Sequence, residues 1–122
     1  MRYPVTLIAP DGRRITCYDG EHAAAVHLLT DWLIWDEVGA YVRDRGGDID
    51  WGRLWERAGL FASSERLLAA AAMDLYGARV GGVDAATLKR LCMVLEGEHL
   101  RRVLEAVCLL RPDAAPPRRW DR

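Results

Sequence analysis

The sequence predicts an α+β fold, with one N-terminal β-hairpin packed on a compact bundle of four to five short helices. Three observations predict it. Near the N-terminus, β-branched residues alternate with others on both sides of Pro10-Asp11-Gly12. From Ser63 to Arg111 the chain reads as three amphipathic segments, SSERLLAAAAMDLYG, VDAATLKRLCMVLEG and EHLRRVLEAVCLLRP, each closing on Gly or Pro. Finally, the 122 residues show no internal repeat, and their length suits one domain able to bury a core without staples.

The hairpin is expected over Tyr3–Ala9 and Arg13–Tyr18, because Asp-Gly tolerates the positive φ of a tight turn. A lone two-stranded ribbon is marginal in water, so one face must pack on helices or on another chain. Asp19 is placed to cap a helix from about Glu21 to Arg45, carrying Ala25, Leu28, Leu29, Trp32, Trp35 and Val42 inward. Gly39 can bend or split that helix, and Gly46-Gly47 ends it. Asp50 then caps Trp51–Ala58, and Gly59 stops it. Ser63 or Ser64 caps Glu65–Tyr76, whose run Ala69–Ala72 suits close helix approach. Asp84 caps Ala85–Leu95, which presents Leu88, Leu91, Cys92 and Leu95. The last helix, Glu98–Leu110, presents Leu100, Val103, Leu104 and Val107. Pro112 closes a single domain over residues 1–111, and residues 112–122 read as a flexible tail.

Composition narrows the function classes. Apolar residues make up 51% and charged residues 29% of the chain, ordinary for a globular protein and too apolar for disorder. A formal charge of -1 provides no global field toward nucleic acid or anionic lipid. The chain has no Asn or Gln, and Lys89 is its only lysine, a bias expected of a GC-rich genome. That removes the amides that read adenine bidentately, so any base reading would rest on arginine. The three cysteines, Cys17, Cys92 and Cys108, lack close pairing and read as reduced, with the last two on apolar helical faces. With no apolar run of membrane-spanning length and no leader pattern, a cytoplasmic setting is expected, without membrane association.

No pattern carries catalysis. Cys17, His22 and His27 invite a zinc reading, but two histidines five apart diverge on a helix, and a fourth ligand is missing. A surface helix with two incidental histidines is the simpler reading. The acidic group Asp44, Asp48 and Asp50 lacks calcium-loop spacing, and the Gly-Gly pairs read as helix stops rather than phosphate cradles. No enzyme, no metal and no cofactor are therefore expected.

The five tryptophans are the one compositional excess with functional promise. Trp32 and Trp35 fall in an apolar stripe and read as core anchors. Trp51 and Trp55 lie four apart on a short helix beside Arg53 and Arg57, the composition of a protein-binding hot spot. A packing role for both indoles competes with that and is the simpler reading. The tail adds Arg118, Arg119 and Trp120 after two prolines, as linear recognition segments do, although an inert end explains it as well.

Ser63–Gly77, followed by Val94–Arg111, resembles a family of small uncharacterised phage and prophage proteins. There a Ser-Ser-x-x-x-Leu helix ends in Leu-Tyr, and after a linker a Leu-Asp turn precedes a helix ending in Ala-Ile-x-x-Arg. Leu75-Tyr76 matches the first ending, Ala106-Val107 with Arg111 approximates the second, and Glu96 departs from the Asp of the turn. The likeness covers roughly the last half of the chain and brings no catalytic residues. It implies origin in a mobile element and an accessory role.

Two functions follow as expectations. The first is a non-enzymatic module that binds a host or phage protein, such as an inhibitor of a defence factor of the CRISPR nuclease kind, with a homodimer left open. The second is a small DNA-binding regulator, suggested by the Gly-joined helices Ala85–Leu95 and Glu98–Leu110. A recognition helix displays basic and polar side chains outward, whereas Arg101 and Arg102 are offset by Glu98 and Glu105. Strong nucleic-acid binding is therefore not expected.

Overall fold

The computed structural model describes residues 3–78 and 86–114. It has an α+β fold in which a two-stranded antiparallel hairpin lies against a bundle of helices. The strands are β1 (Val5–Ile8) and β2 (Arg14–Cys17), paired Val5 with Cys17 and Leu7 with Ile15. Those four side chains share one face of the ribbon; Ile15 and Cys17 are fully buried, while Thr6 and Ile8 point the other way. The turn closes with the Gly12 N–H donating to Ala9 O and the Ala9 N–H donating to Arg13 O, with Gly12 at φ 89°.

Helix α1 (Gly20–Leu29) is the centre of the molecule and packs on both strands and on the two longest helices. Asp19 caps it by accepting from the His22 N–H at 2.8 Å. Its residues His22–Val26, Leu28 and Leu29 are all buried, as expected of a helix that is apolar all round.

The long helix expected from Glu21 to Arg45 is instead broken after Leu29. Thr30 turns its hydroxyl back to His27 O, and Asp31 accepts the Leu33 N–H at 2.9 Å, a side-chain turn that competes with helix continuation. A short helix α2 (Trp35–Val38) and a 3-10 turn (Gly39–Tyr41) follow. The break also separates the two tryptophans expected in the core. Trp35 is buried, whereas Trp32 is 59% exposed.

The next segment lies along β2. The Thr16 N–H donates to Asp44 O and the Gly46 N–H donates to Thr16 O, so this stretch acts as a partial third strand. Arg13 ties it down, donating to Asp44 Oδ1, Gly39 O and Val42 O while stacking over Trp35.

Asp50 caps α3 (Trp51–Ala58). Helix α4 (Ser63–Tyr76) starts two residues earlier than expected, at Ser63 itself, and neither serine caps it; Ala62 holds the cap position without a side-chain bond. Its alanines 69–72 are buried, and α4 packs on α1 across two alanine-rich surfaces. The Asp84 cap and Gly81-Gly82 lie outside the described residues. Helix α5 is shorter than expected, Leu88–Val94, and is capped by Thr87 through the Arg90 N–H. Helix α6 (Gly97–Leu110) returns along α1, and Pro112–Ala114 forms a 3-10 turn after it. No helix among the described residues is long and apolar enough to cross a membrane.

Candidate functional site

Helix α3 turns its indoles inward. Trp51 and Trp55 are each 8% exposed; Trp51 lies against Tyr76 at 5.2 Å between ring centroids, and Arg66 covers Trp55 at 5.2 Å. Their competing role, packing, is the one the fold gives them. The outward side carries Arg53, which pairs with Asp50, and Arg57, which pairs with Glu37. Both guanidiniums are held by carboxylates next to an apolar core. Arg118, Arg119 and Trp120 lie outside the described residues.

The histidines occupy sites that sequence spacing did not reveal. His22 is buried rather than on a surface face, and neither ring nitrogen has a hydrogen-bond partner. Burial lowers its pKa, with Asp19 opposing. His27 pairs with Glu105 at 3.0 Å; burial again lowers its pKa against the pull of Glu105. Burial and Asp19 push the Cys17 thiol up to about 12, so it behaves as a core apolar group. Among the described residues no three His, Cys, Asp or Glu side chains cluster to hold a metal.

His99, which sequence spacing did not single out, is paired with the Asp31 carboxylate, and both side chains are deeply buried. Its Nδ1 donates to Asp31 Oδ2 at 2.7 Å, and Arg102 Nε stands 3.8 Å from the same oxygen. Arg102 also donates to His27 O at 2.7 Å and to Thr30 Oγ1 at 3.3 Å. Trp32 leans on the imidazole at 5.5 Å and donates its indole N–H to Glu98. Asp31 thus fixes the ring orientation and leaves Nε2 as the free position. Glu98 Oε1 stands 3.7 Å from it. The cluster works as a polar rivet between the end of α1 and the start of α6.

Two shallow cavities flank Phe61. One, of about 140 Å3, is lined by Ser63, Arg66, Leu67, Ala70 and Arg90; the other, of about 220 Å3, by Glu37, Arg57, Leu60 and Glu65. Neither adjoins His99.

Helix α5 is where the surface departs from an ordinary one. Leu91 and Leu95 face the core, but Leu88 is 78% and Met93 76% exposed, and Cys92 is exposed with them. Leu88 and Cys92 were expected on the inward face. At helical spacing Leu88 shares the face of Leu91 and Leu95 yet stays exposed at the start of the helix, Cys92 lies beside it, and Lys89 and Met93 occupy the side away from Leu91 and Leu95. The signal was present in Leu91–Leu95, five apolar residues in succession, more than a helix packed on one side can bury.

No family model matches the chain, and no curated protein or solved structure matches it significantly.

Proposed function

We propose that this chain is a non-enzymatic protein-binding module whose contact surface is formed by the exposed apolar side chains of α5. The observation that carries this reading is that three apolar side chains of one seven-residue helix, Leu88, Cys92 and Met93, are exposed. The other candidates support it less well. On α3 the indoles are buried and the arginines paired, and at His99 the imidazole is held by the Asp31 carboxylate between α1 and α6.

The likeness to small phage and prophage proteins, which reaches α4 and α6, supports an accessory role directed at a host or phage protein. An inhibitor of a bacterial defence nuclease is the specific form we propose. The outward side of α6 carries Arg101 beside Leu104 and Glu105, which favours a protein partner over a DNA groove.

The test is capture from host lysate by the intact chain and by Leu88→Ser, Met93→Ser and Arg53→Glu variants, read by mass spectrometry. A partner lost with the α5 variants and kept with Arg53→Glu is the expected result. A partner lost only with Arg53→Glu would move the interface to α3.

A further inference from the structure

We propose that Trp32 and Glu98 form a surface site for a cationic side chain, an arginine of a binding partner, which stacks on the indole and donates to the carboxylate. The site lies where the end of α1 meets the start of α6, and it stands whether or not α5 is a contact surface. Trp32 is 59% exposed, yet it is held from more than one side. Its indole N–H donates to Glu98 Oε2 at 3.3 Å, and its ring leans on the His99 imidazole at 5.5 Å. That imidazole is itself fixed by Asp31, which also accepts the Leu33 N–H and so orders the turn that carries Trp32. An exposed aromatic side chain fixed before binding loses little freedom when it is covered, as a recognition anchor requires.

The charges around the indole set the sign of its occupant. Asp31 is matched by His99 and by Arg102, whose guanidinium turns inward to His27 O and Thr30 Oγ1. His27 is matched by Glu105. Glu98 and, two residues before it, Glu96 are exposed. Arg101, one turn further along α6, offsets one of these two carboxylates and leaves the other. With the negative face of the indole added, the balance favours a cation. The molecule uses the same pairing internally, with Arg13 over Trp35 at 5.1 Å and Arg66 over Trp55 at 5.2 Å. A guanidinium suits the surface site better than an ammonium, because its plane can stack on the ring while its edge donates to the adjacent carboxylate.

The experiment uses the full chain, isotope-labelled, and follows the Trp32 indole N–H resonance by nuclear magnetic resonance, assigned by its loss in Trp32→Phe. The probes are a capped Gly-Arg-Gly peptide, the same peptide with citrulline as an uncharged isostere of arginine, and the sugar chitotriose. The arginine peptide should shift the resonance saturably and bind at least about fivefold more tightly than the citrulline peptide at low salt, with the gap closing as ionic strength rises. Glu98→Gln should remove most of that preference, because the amide oxygen still accepts from the indole and only the charge is lost. A role for Glu98 confined to holding the indole would survive the same change. Circular dichroism and thermal melting check that the variant keeps the fold of the parent.

Equal affinities for the arginine and citrulline peptides, or a preference that Glu98→Gln leaves intact, would overturn the cation assignment. Saturable binding of chitotriose alone would contradict it as well and make this a sugar site. No shift of the Trp32 resonance with any probe would show that the indole is held for packing alone.

Discussion

Single residues decide where this fold is most sensitive. Asp31 serves two roles, ending α1 through the Leu33 N–H and holding the buried His99 ring, with Arg102 at the edge of the site. Asp31→Ala leaves the buried His99 imidazole without its carboxylate, so it should cost about 3 kcal/mol or more, read as a fall in denaturant midpoint. His22 makes a separate prediction. Its pKa is lowered from 6.5 by burial, so the unfolded chain binds the proton more readily than the folded one. The stability this confers is complete above pH 6.5 and is lost as pH falls from there through the folded value; His27, lowered in the same direction, adds to the slope. Melting temperature should therefore fall from about pH 7 to pH 5, and His22→Leu should flatten the fall because Leu cannot take up the proton. An unchanged slope in that variant would clear His22 of the role. These residues were hard to read in sequence for a physical reason. His99 occupies a core position of α6, where Val103 and Ala106 also point inward, and a polar residue at that position shifts the apparent apolar stripe toward Leu100 and Leu104.

At the scale of elements, part of the local punctuation was legible, though neither Ser63 nor Ser64 caps α4 as expected. Asp19, Asp50 and the Gly12 turn act at the positions their chemistry suggests. Gly12 sits at φ 89°, and a Cβ there would meet nothing within 4 Å, so Gly12→Val should strain the backbone alone and cost about 1–2 kcal/mol. The break after Leu29 was not read, because the apolar spacing runs on through Trp32 and Trp35 while Thr30 and Asp31 bond the backbone locally instead. Nor could apolar spacing alone say which side of α3 would be covered. Trp51 and Trp55 are buried by Tyr76 and Arg66 from α4, a tertiary contact. Trp55→Ala should accordingly cost about 3–5 kcal/mol of stability and leave the affinity of the folded fraction unchanged. Lost affinity without lost stability would return the interface to α3.

Across the whole molecule the architecture follows from one buried helix. Once α1 is apolar on every side, the hairpin, α4 and α6 must each cover part of it, and their alternating or helical patterns say which face does so. That is why the α+β class could be read from the sequence. The candidate surface could not, since it consists of apolar side chains the fold leaves uncovered, and only the packed structure shows that Leu91 and Leu95 are buried while Leu88, on the same helical face, is exposed. The most direct test of that surface is site-specific photo-crosslinking in host lysate, with a photoreactive side chain at position 93 in one protein and at position 53 in another. Crosslinks to one partner from position 93, with none from position 53, are expected. Crosslinks from position 53 alone would contradict the assignment of α5 as the contact surface.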